Sequence, residues 1–388
     1  MSISYWQHTT NLPSPAPVRD GSSIEEIRTE VCIIGGGIAG ASAAYLLQRA
    51  GIESVIVEAR EPALGATGRN AGMVVAGIGG NYARAVQMYG RFRARELWQF
   101  TIRNRETTIR LAERLGVTVR RCGHWQWATT AEEAAELAEA AVLMAEDELP
   151  VTYYDHDPLG RGFTAALETT EDATVHSAEL VLALIKASGA KVVTYSPVTA
   201  VEPSETGRMM VVHSGRATIT CKNVFVATNA YTPQLFPEFE ERVMPTRGQI
   251  YVSEPAPLVL ERGGSAHHGY YYFQQIPEPS QPGYGRWLIG GGRHTNFASE
   301  GGHYEEETTA DIQADLEAFT ARHFPELAAV PIAHRWAGTM GFTDNALPLI
   351  GQLESLPRVT YCVGFTGHGM ALALKSVETA LMQMLDVV

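Results

Sequence analysis

The stretch Val31–Glu58, VCIIGGGIAGASAAYLLQRAGIESVIVE, decides the fold. Val31–Ile34 is a short apolar run that ends in three glycines, and Ile38–Ala50 is rich in Ala and Leu with no proline, which predicts a helix. Gly51 closes that helix, and Ile52–Val57 is β-branched enough for a second strand. Strand, glycine turn, helix and strand within about 30 residues make a βαβ unit. In that context Gly35-x-Gly37-x-x-Gly40 matches the dinucleotide fingerprint G-x-G-x-x-G. The first glycine permits the tight turn, the second lets the backbone approach a pyrophosphate, and the third lets the helix pack on the strand. The phosphates are then expected at the helix start, at Ile38 and Ala39, where free N–H groups and the dipole favour negative charge. Glu58 ends the second strand where a carboxylate can hold a pair of ribose hydroxyls, with Ala59 and Arg60 following it. The alternative, a glycine-rich turn that binds nothing, leaves the placement of Glu58 to chance.

Outward from this unit, 388 residues exceed the size at which one hydrophobic core stops growing, so two closely packed domains are expected. Hydrophobic residues make up 45%, enough for a globular interior. Lys and Arg number 30 against 43 Asp and Glu, a net charge of −13 that argues against a nucleic-acid partner. The N-terminal MSISYWQHTTNLPSPAP has no basic-then-apolar pattern of a signal peptide, and no run of about 18 apolar residues occurs, so no membrane span is expected. Cys32, Cys122, Cys221 and Cys362 follow no metal-ligand spacing, so reduced thiols, no metal and a cytoplasmic protein are expected.

Residues 1–29, with Pro13, Pro15 and Pro17, read as an extended lead-in. Helices are predicted over Phe92–Leu115, 131–147, Ala178–Ala187 and Thr308–His323, and after His368. Strands are predicted around Gly248–Val252, Tyr270–Gln274, Arg286–Ile289 and Val359–Val363. The arrangement is a nucleotide-binding domain assembled from residues 30–90, 150–235 and 335–388, with a substrate domain formed by 91–149 and 236–334.

Four further segments carry a family resemblance. Gly65–Val74, GATGRNAGMV, resembles the "GaSGRNgG" segment of FAD-dependent amine and amino-acid oxidoreductases, the glycine oxidase and sarcosine oxidase kind. Val224–Pro233, VFVATNAYTP, resembles that family's later strand and turn near the nucleotide. Trp336–Gly351, WAGTMGFTDNALPLIG, lies where the family has "W-A-G-L-R-P", and Val363–Met370, VGFTGHGM, resembles its closing strand-to-helix turn. With the fingerprint they cover nearly the whole chain in the family's order. The likeness is strongest to the branch containing gamma-glutamylputrescine oxidase, whose aromatic lead-in Tyr5-Trp6 resembles.

The resemblance implies an α/β fold: a Rossmann-like, glutathione-reductase-type FAD-binding domain with an inserted α+β substrate domain on an antiparallel sheet. It places FAD against Gly35, Gly37, Ile38, Ala39, Gly40, Glu58, Ala59 and Arg60. Along the flavin it implies Thr67, Gly68, Arg69, Asn70, Ala71, Gly72 and Met73. From the remaining segments it adds Val198, Ala227, Thr228, Asn229, Gly338, Gly364, Thr366, Gly367, His368, Gly369 and Met370. No cysteine lies between Cys221 and Cys362 and no histidine stands near Arg69-Asn70, where relatives attach flavin, so a non-covalent cofactor is expected.

The implied chemistry is oxidation of a C–N bond in a small primary or secondary amine, with hydride passing to flavin N5, the imine hydrolysed, and oxygen or another acceptor taking the electrons. The family holds a substrate carboxylate with the arginine of "W-A-G-L-R-P"; Met340 stands at that position. A simple amine, or one with a more remote carboxylate, is therefore favoured. The alternatives are an amino-acid oxidase using another arginine such as Arg293, an NAD-linked dehydrogenase, and a flavoprotein without turnover. The family's oxygen-activating lysine falls near Trp287-Leu288, and no lysine lies between Lys222 and Lys375; Arg293, His294 or His368 is left to supply positive charge. Met73 and His368 are expected beside the flavin ring. In Tyr270-Tyr-Tyr-Phe273, Tyr270 and Tyr272 share one strand face, which either walls the pocket or is an ordinary wet face. Tyr251 and Gln249 are candidates on the neighbouring strand. Arg335 is read as a structural ion pair or a second candidate.

Overall fold

A computed structural model describes residues 2–10, 24–78 and 80–385. The βαβ unit forms as expected, with a longer first strand, Glu25–Ile34. That strand runs parallel to Ser54–Val57 on one side and to Ala217–Val226 on the other; Lys191–Val193 and Val359–Val363 extend the parallel set. These strands read as continuous apolar runs because the sheet is covered on both faces, with Cys32, Ile33, Ile56, Phe225 and Cys362 fully buried. Helices Ile38–Arg49, Ser177–Ser188, Arg91–Arg114 and Gly369–Leu385 pack together over one side. The sheet ends in the antiparallel strands Val198–Pro203 and Met210–Ser214.

A second eight-stranded sheet is antiparallel except where Gly263–Ala266 runs parallel to His124–Ala128. Its spine is Met244–Pro257, paired with Tyr284–Gly291 and with Ile332–Phe342. Strands Thr152–Tyr154 and Ala165–Thr169, and strand Ile332–Phe342 from Arg335 onward, expected in the nucleotide-binding part, belong to this second sheet. The reason is register: Trp125 and Trp127 pair with Glu168 and Ala166, so both tryptophans enter the aromatic core with Phe163, Phe273 and Trp287. The lead-in is also corrected. Tyr5–Thr9 is a helix, and Ser4 and Gln7 cap it reciprocally; Pro13, Pro15 and Pro17 lie outside the described residues.

The spine is tied to the loop beyond it by a buried ion pair. Arg247 Nη2 lies 2.6 Å and Nε 3.0 Å from the Glu300 carboxylate, and Gln249 Nε2 donates to the same group at 3.1 Å. The side chains of Arg247 and Glu300 are 4% and 1% exposed, so removing one charge strands the other out of water. Glu300→Ala is expected to lower unfolding free energy by about 3–5 kcal/mol, measured by urea denaturation; a loss near that of a surface ion pair would contradict the assignment.

Candidate active site

Between the two sheets lies a cavity of about 1240 Å³. That exceeds the ~300–1,000 Å³ of an ordinary small-molecule pocket and leaves room for a dinucleotide and a substrate together.

The nucleotide end is built on the glycine turn. Gly35, at φ +107°, comes so near the next strand that a Cβ would sit 2.7 Å from Ala227 O. A Cβ on Gly40 would lie 1.8 Å from Gly35 O, so the helix seats on the turn only without a side chain there. Gly37 brings no side-chain cap to the helix Ile38–Arg49; Thr67 Oγ1 accepts from Ile38 N–H at 3.1 Å. The other first-turn donors and the dipole suit a phosphate. Glu58 accepts from Gly36 N–H at 2.6 Å and from Arg60 N–H at 2.9 Å. Burial raises its pKa against those bonds, and a carboxylate retains lone pairs for two ribose hydroxyls. Ile38, Ala39, Ala59, Arg60, Val198, Ala227, Thr228 and Asn229 also line this part.

The wall beside it is Gly65–Met73. Asn70, Ala71 and Met73 line the cavity. The carbonyls of Arg69, Asn70 and Ala71 are taken by Trp336 Nε1, Trp6 Nε1 and Gln274 Nε2. What the wall retains is donor capacity, which matches the acceptor atoms along a flavin edge. The cradle and this donor set fit FAD, with Glu58 for its ribose, the Gly35–Gly40 turn for its diphosphate and Asn70–Met73 for its ring.

At the inner end Tyr270 and Tyr272 both face the cavity, while Tyr271 points to Asp315 and stacks on Phe319. Gly290 makes the space for Tyr272, since a Cβ there would lie 2.5 Å from its ring, and Gly248 makes the space for Met340, whose Cε would lie 2.8 Å from a Cβ on Gly248. Met340, Gly338, Gly367, His368, Gly369 and Met370 also line the cavity. Thr366, at φ +48°, accepts from Thr343 N–H, and Asn229 Oδ1 accepts from the N–H groups of Gly364 and Phe365, so this turn is held from two sides. His368 Nδ1 lies 2.8 Å from Thr366 O. A carbonyl only accepts, so Nδ1 carries the proton and Nε2 keeps its lone pair. Burial, with the nearby Arg293 charge, lowers the pKa of His368 against that hydrogen bond, and the ring is neutral at pH 7.

Among the described residues five arginines line the cavity. Arg60 and Arg69 pair with Glu306, Arg84 with Glu136, and Arg105 with Asp172. Arg293 has no carboxylate in ion-pair reach among the described residues; its guanidinium lies 4.9 Å from the Tyr270 ring and 5.3 Å from that of Phe342. It thus borders the strand that carries Met340.

Several expectations change. Tyr251 is in the core, its hydroxyl 2.6 Å from Thr320 Oγ1, and Gln249 is used by Glu300 and Thr309. Trp287 is also core, donating to Thr320 Oγ1. Gly40, Gly68, Gly72 and Gly364 shape the turns and do not line the cavity. Arg69 lines it, but its guanidinium is bound to Leu64 O, Ala337 O, Ser2 O and Glu306. His294 packs on His267 and Tyr270 outside the cavity lining, and burial lowers its pKa; of the three candidates for positive charge only Arg293 is a cation on the cavity at neutral pH. Arg335 is structural, 2.8 Å from Glu317. Glu306, which joins Arg60, Arg69 and Tyr231, carries no signal in the acidic run Glu305–Glu307. Among the described residues no cluster is arranged to hold a metal ion and no helix is long and apolar enough to cross a membrane.

Comparisons with known proteins agree with this geometry. Residues 30–375 match the family model described as DAO, FAD dependent oxidoreductase. The chain is 25% identical over 390 residues to the gamma-glutamylputrescine oxidoreductase of Escherichia coli (strain K12), covering 95% of this chain and 85% of that one. It is 25% identical over 359 residues to the glycine oxidase of Bacillus licheniformis, covering 89% and 90%. The solved glycine oxidase from Geobacillus kaustophilus shares the fold with a TM-score of 0.76 at 20% identity, over 93% of this chain and 95% of that one.

Proposed function

The chain belongs to the DAO family of FAD-dependent oxidoreductases, and from that premise we propose that it oxidises the C–N bond of a small primary or secondary amine whose anionic group, remote from the reacting carbon, is held by Arg293. The observation that carries this is the one cavity arginine without an ion-pair partner among the described residues, Arg293, set between two aromatic rings. A guanidinium so placed has its planar donor edge left for a carboxylate. Gamma-glutamylputrescine, the compound in the name of the Escherichia coli relative, is an amine whose carboxylate lies far from its terminal nitrogen.

FAD, held without a covalent bond by the Gly35–Gly40 turn, Glu58 and Asn70–Met73, would supply the two-electron acceptor for hydride from the carbon next to nitrogen, leaving an imine for water to hydrolyse. The chain's own residues do the rest. Arg293 sets the distance between the anionic group and the reacting carbon. Tyr270 and Tyr272 wall the amine and exclude water, which favours its neutral form. His368 Nε2 is the acceptor for the proton that the substrate ammonium must lose before the hydride departs.

Because the pKa of His368 is lowered from 6.5, the neutral, proton-accepting ring persists through neutral pH and is lost only as pH falls below that value. The kcat of the native enzyme is expected to fall on that acid side. His368→Leu removes this limb and lowers kcat by about 10²-fold. An acid limb that persists in the variant would take His368 out of the proton path.

A further inference from the structure

The wall Ala63–Gly72 is held from outside by a segment far away in sequence. The carbonyls of Gly68 to Gly72 accept, in order, from Ser4 Oγ, Trp336 Nε1 at 2.9 Å, Trp6 Nε1 at 2.6 Å, Gln274 Nε2 at 2.6 Å and Val175 N at 2.8 Å. Two of these five donors are the N-cap Ser4 and Trp6 of the N-terminal helix. Gln7 Nε2 adds bonds to Ala63 O at 3.2 Å and Leu64 O at 3.3 Å, and Ser2 O accepts from Arg69 Nη2 at 2.9 Å. Ser4, Trp6 and Gln7 are buried, and a Cβ on Gly72 would lie 2.9 Å from Trp6 Cζ2, so the indole lies directly against the wall.

A helix of five residues has no stability of its own in water. The side chains of Ser4, Trp6 and Gln7 instead converge on one target, and that target is the segment whose other side borders the cavity through Thr67, Arg69, Asn70, Ala71 and Met73. The inner contact is equally direct, Thr67 Oγ1 on Ile38 N–H at the start of the phosphate-facing helix. Loss of the bonds from Ser4, Trp6 and Gln7 would free the carbonyls of Gly68, Asn70, Ala63 and Leu64 and loosen the wall against whatever its inner side touches.

We propose that Ser2–Thr9 is a cofactor-retaining brace, with Trp6 as a positioning residue that keeps the Gly68–Met73 wall seated on the flavin. This rests on the flavin lying beside Asn70–Met73. The brace acts on affinity: with the wall held, the flavin meets a preformed surface and less ordering accompanies binding.

The test uses the FAD-loaded full chain. Trp6→Phe keeps the ring and removes the indole N–H; Gln7→Leu keeps the bulk and removes the two amide bonds. Each is expected to raise the FAD dissociation constant, read by flavin fluorescence, by about tenfold. The difference in Tm between FAD-loaded and FAD-stripped protein is expected to narrow. If the Tm of both forms falls equally while FAD affinity stays within about twofold, the segment is merely structural and the brace is wrong. Met73→Ala tests the premise separately through the flavin's visible spectrum. An unchanged spectrum removes the flavin from this wall and the brace with it. A changed spectrum with unaltered affinity in both Trp6→Phe and Gln7→Leu overturns the brace alone.

Discussion

Gly40→Val is expected to yield folded protein that purifies colourless, with FAD affinity reduced by at least about 10³-fold, a value of roughly 4 kcal/mol. A Cβ at this position would stand 1.8 Å from Gly35 O, against backbone that has no way to yield without opening the turn. Overpacking alone costs about 1–3 kcal/mol, and here the displaced atoms belong to the phosphate-facing turn, so the loss falls on binding as well as on stability. Gly51→Ala is the matched control. It also substitutes a glycine, at φ +74°, at the other end of the same helix, where nothing lies within 4 Å. Its strain of about 1 kcal/mol is expected to leave the cofactor bound. Absorbance and fluorescence of the purified variants separate the two.

Arg293→Met is expected to raise KM for anionic amines by about 10²–10³-fold, roughly 3–4 kcal/mol, within the range lost when one partner of a desolvated charge pair is removed. Methionine retains much of the packing against Tyr270 and Phe342, whose rings flank the guanidinium, so the change isolates charge and donor geometry. Turnover of simple uncharged-tail amines is expected to change far less. The two substrate classes measured side by side give the result. A uniform fall for both would assign Arg293 to the oxidative half-reaction or to folding and remove it from substrate recognition.

The nucleotide half was legible because each of its requirements falls on a residue type with few substitutes. Only glycine fits at Gly35 and Gly40, where the backbone of Ala227 and of Gly35 itself leaves no space, and Glu58 follows at the spacing that the second strand dictates. The alternation of Tyr270 and Tyr272 against Tyr271 was legible from strand period alone. Tyr251 was not: its strand is buried on both faces, Gln249 and Val252 included, so periodicity does not say which side meets the cavity. The second sheet's claim on Ala165–Thr169 and Ile332–Phe342 was hidden for a similar reason, since strand membership is a long-range pairing that local composition does not record. The helix Tyr5–Thr9 escapes propensity because tertiary bonds from Ser4, Trp6 and Gln7 define it. Arg293 was visible as a residue, but its lack of a carboxylate partner among the described residues is a fact of three-dimensional charge pairing, as is the capture of Arg69 by Glu306.

The most direct measurement is an anaerobic titration of the purified yellow protein, following the flavin's visible absorbance. Amines with a remote carboxylate, plain amines and α-amino acids are added in turn. Stoichiometric bleaching by the first class at the lowest concentrations, weakened in Arg293→Met, is the predicted result. A flavin that stays oxidised with every amine and amino acid offered, or a folded preparation that takes up no flavin, would contradict the account.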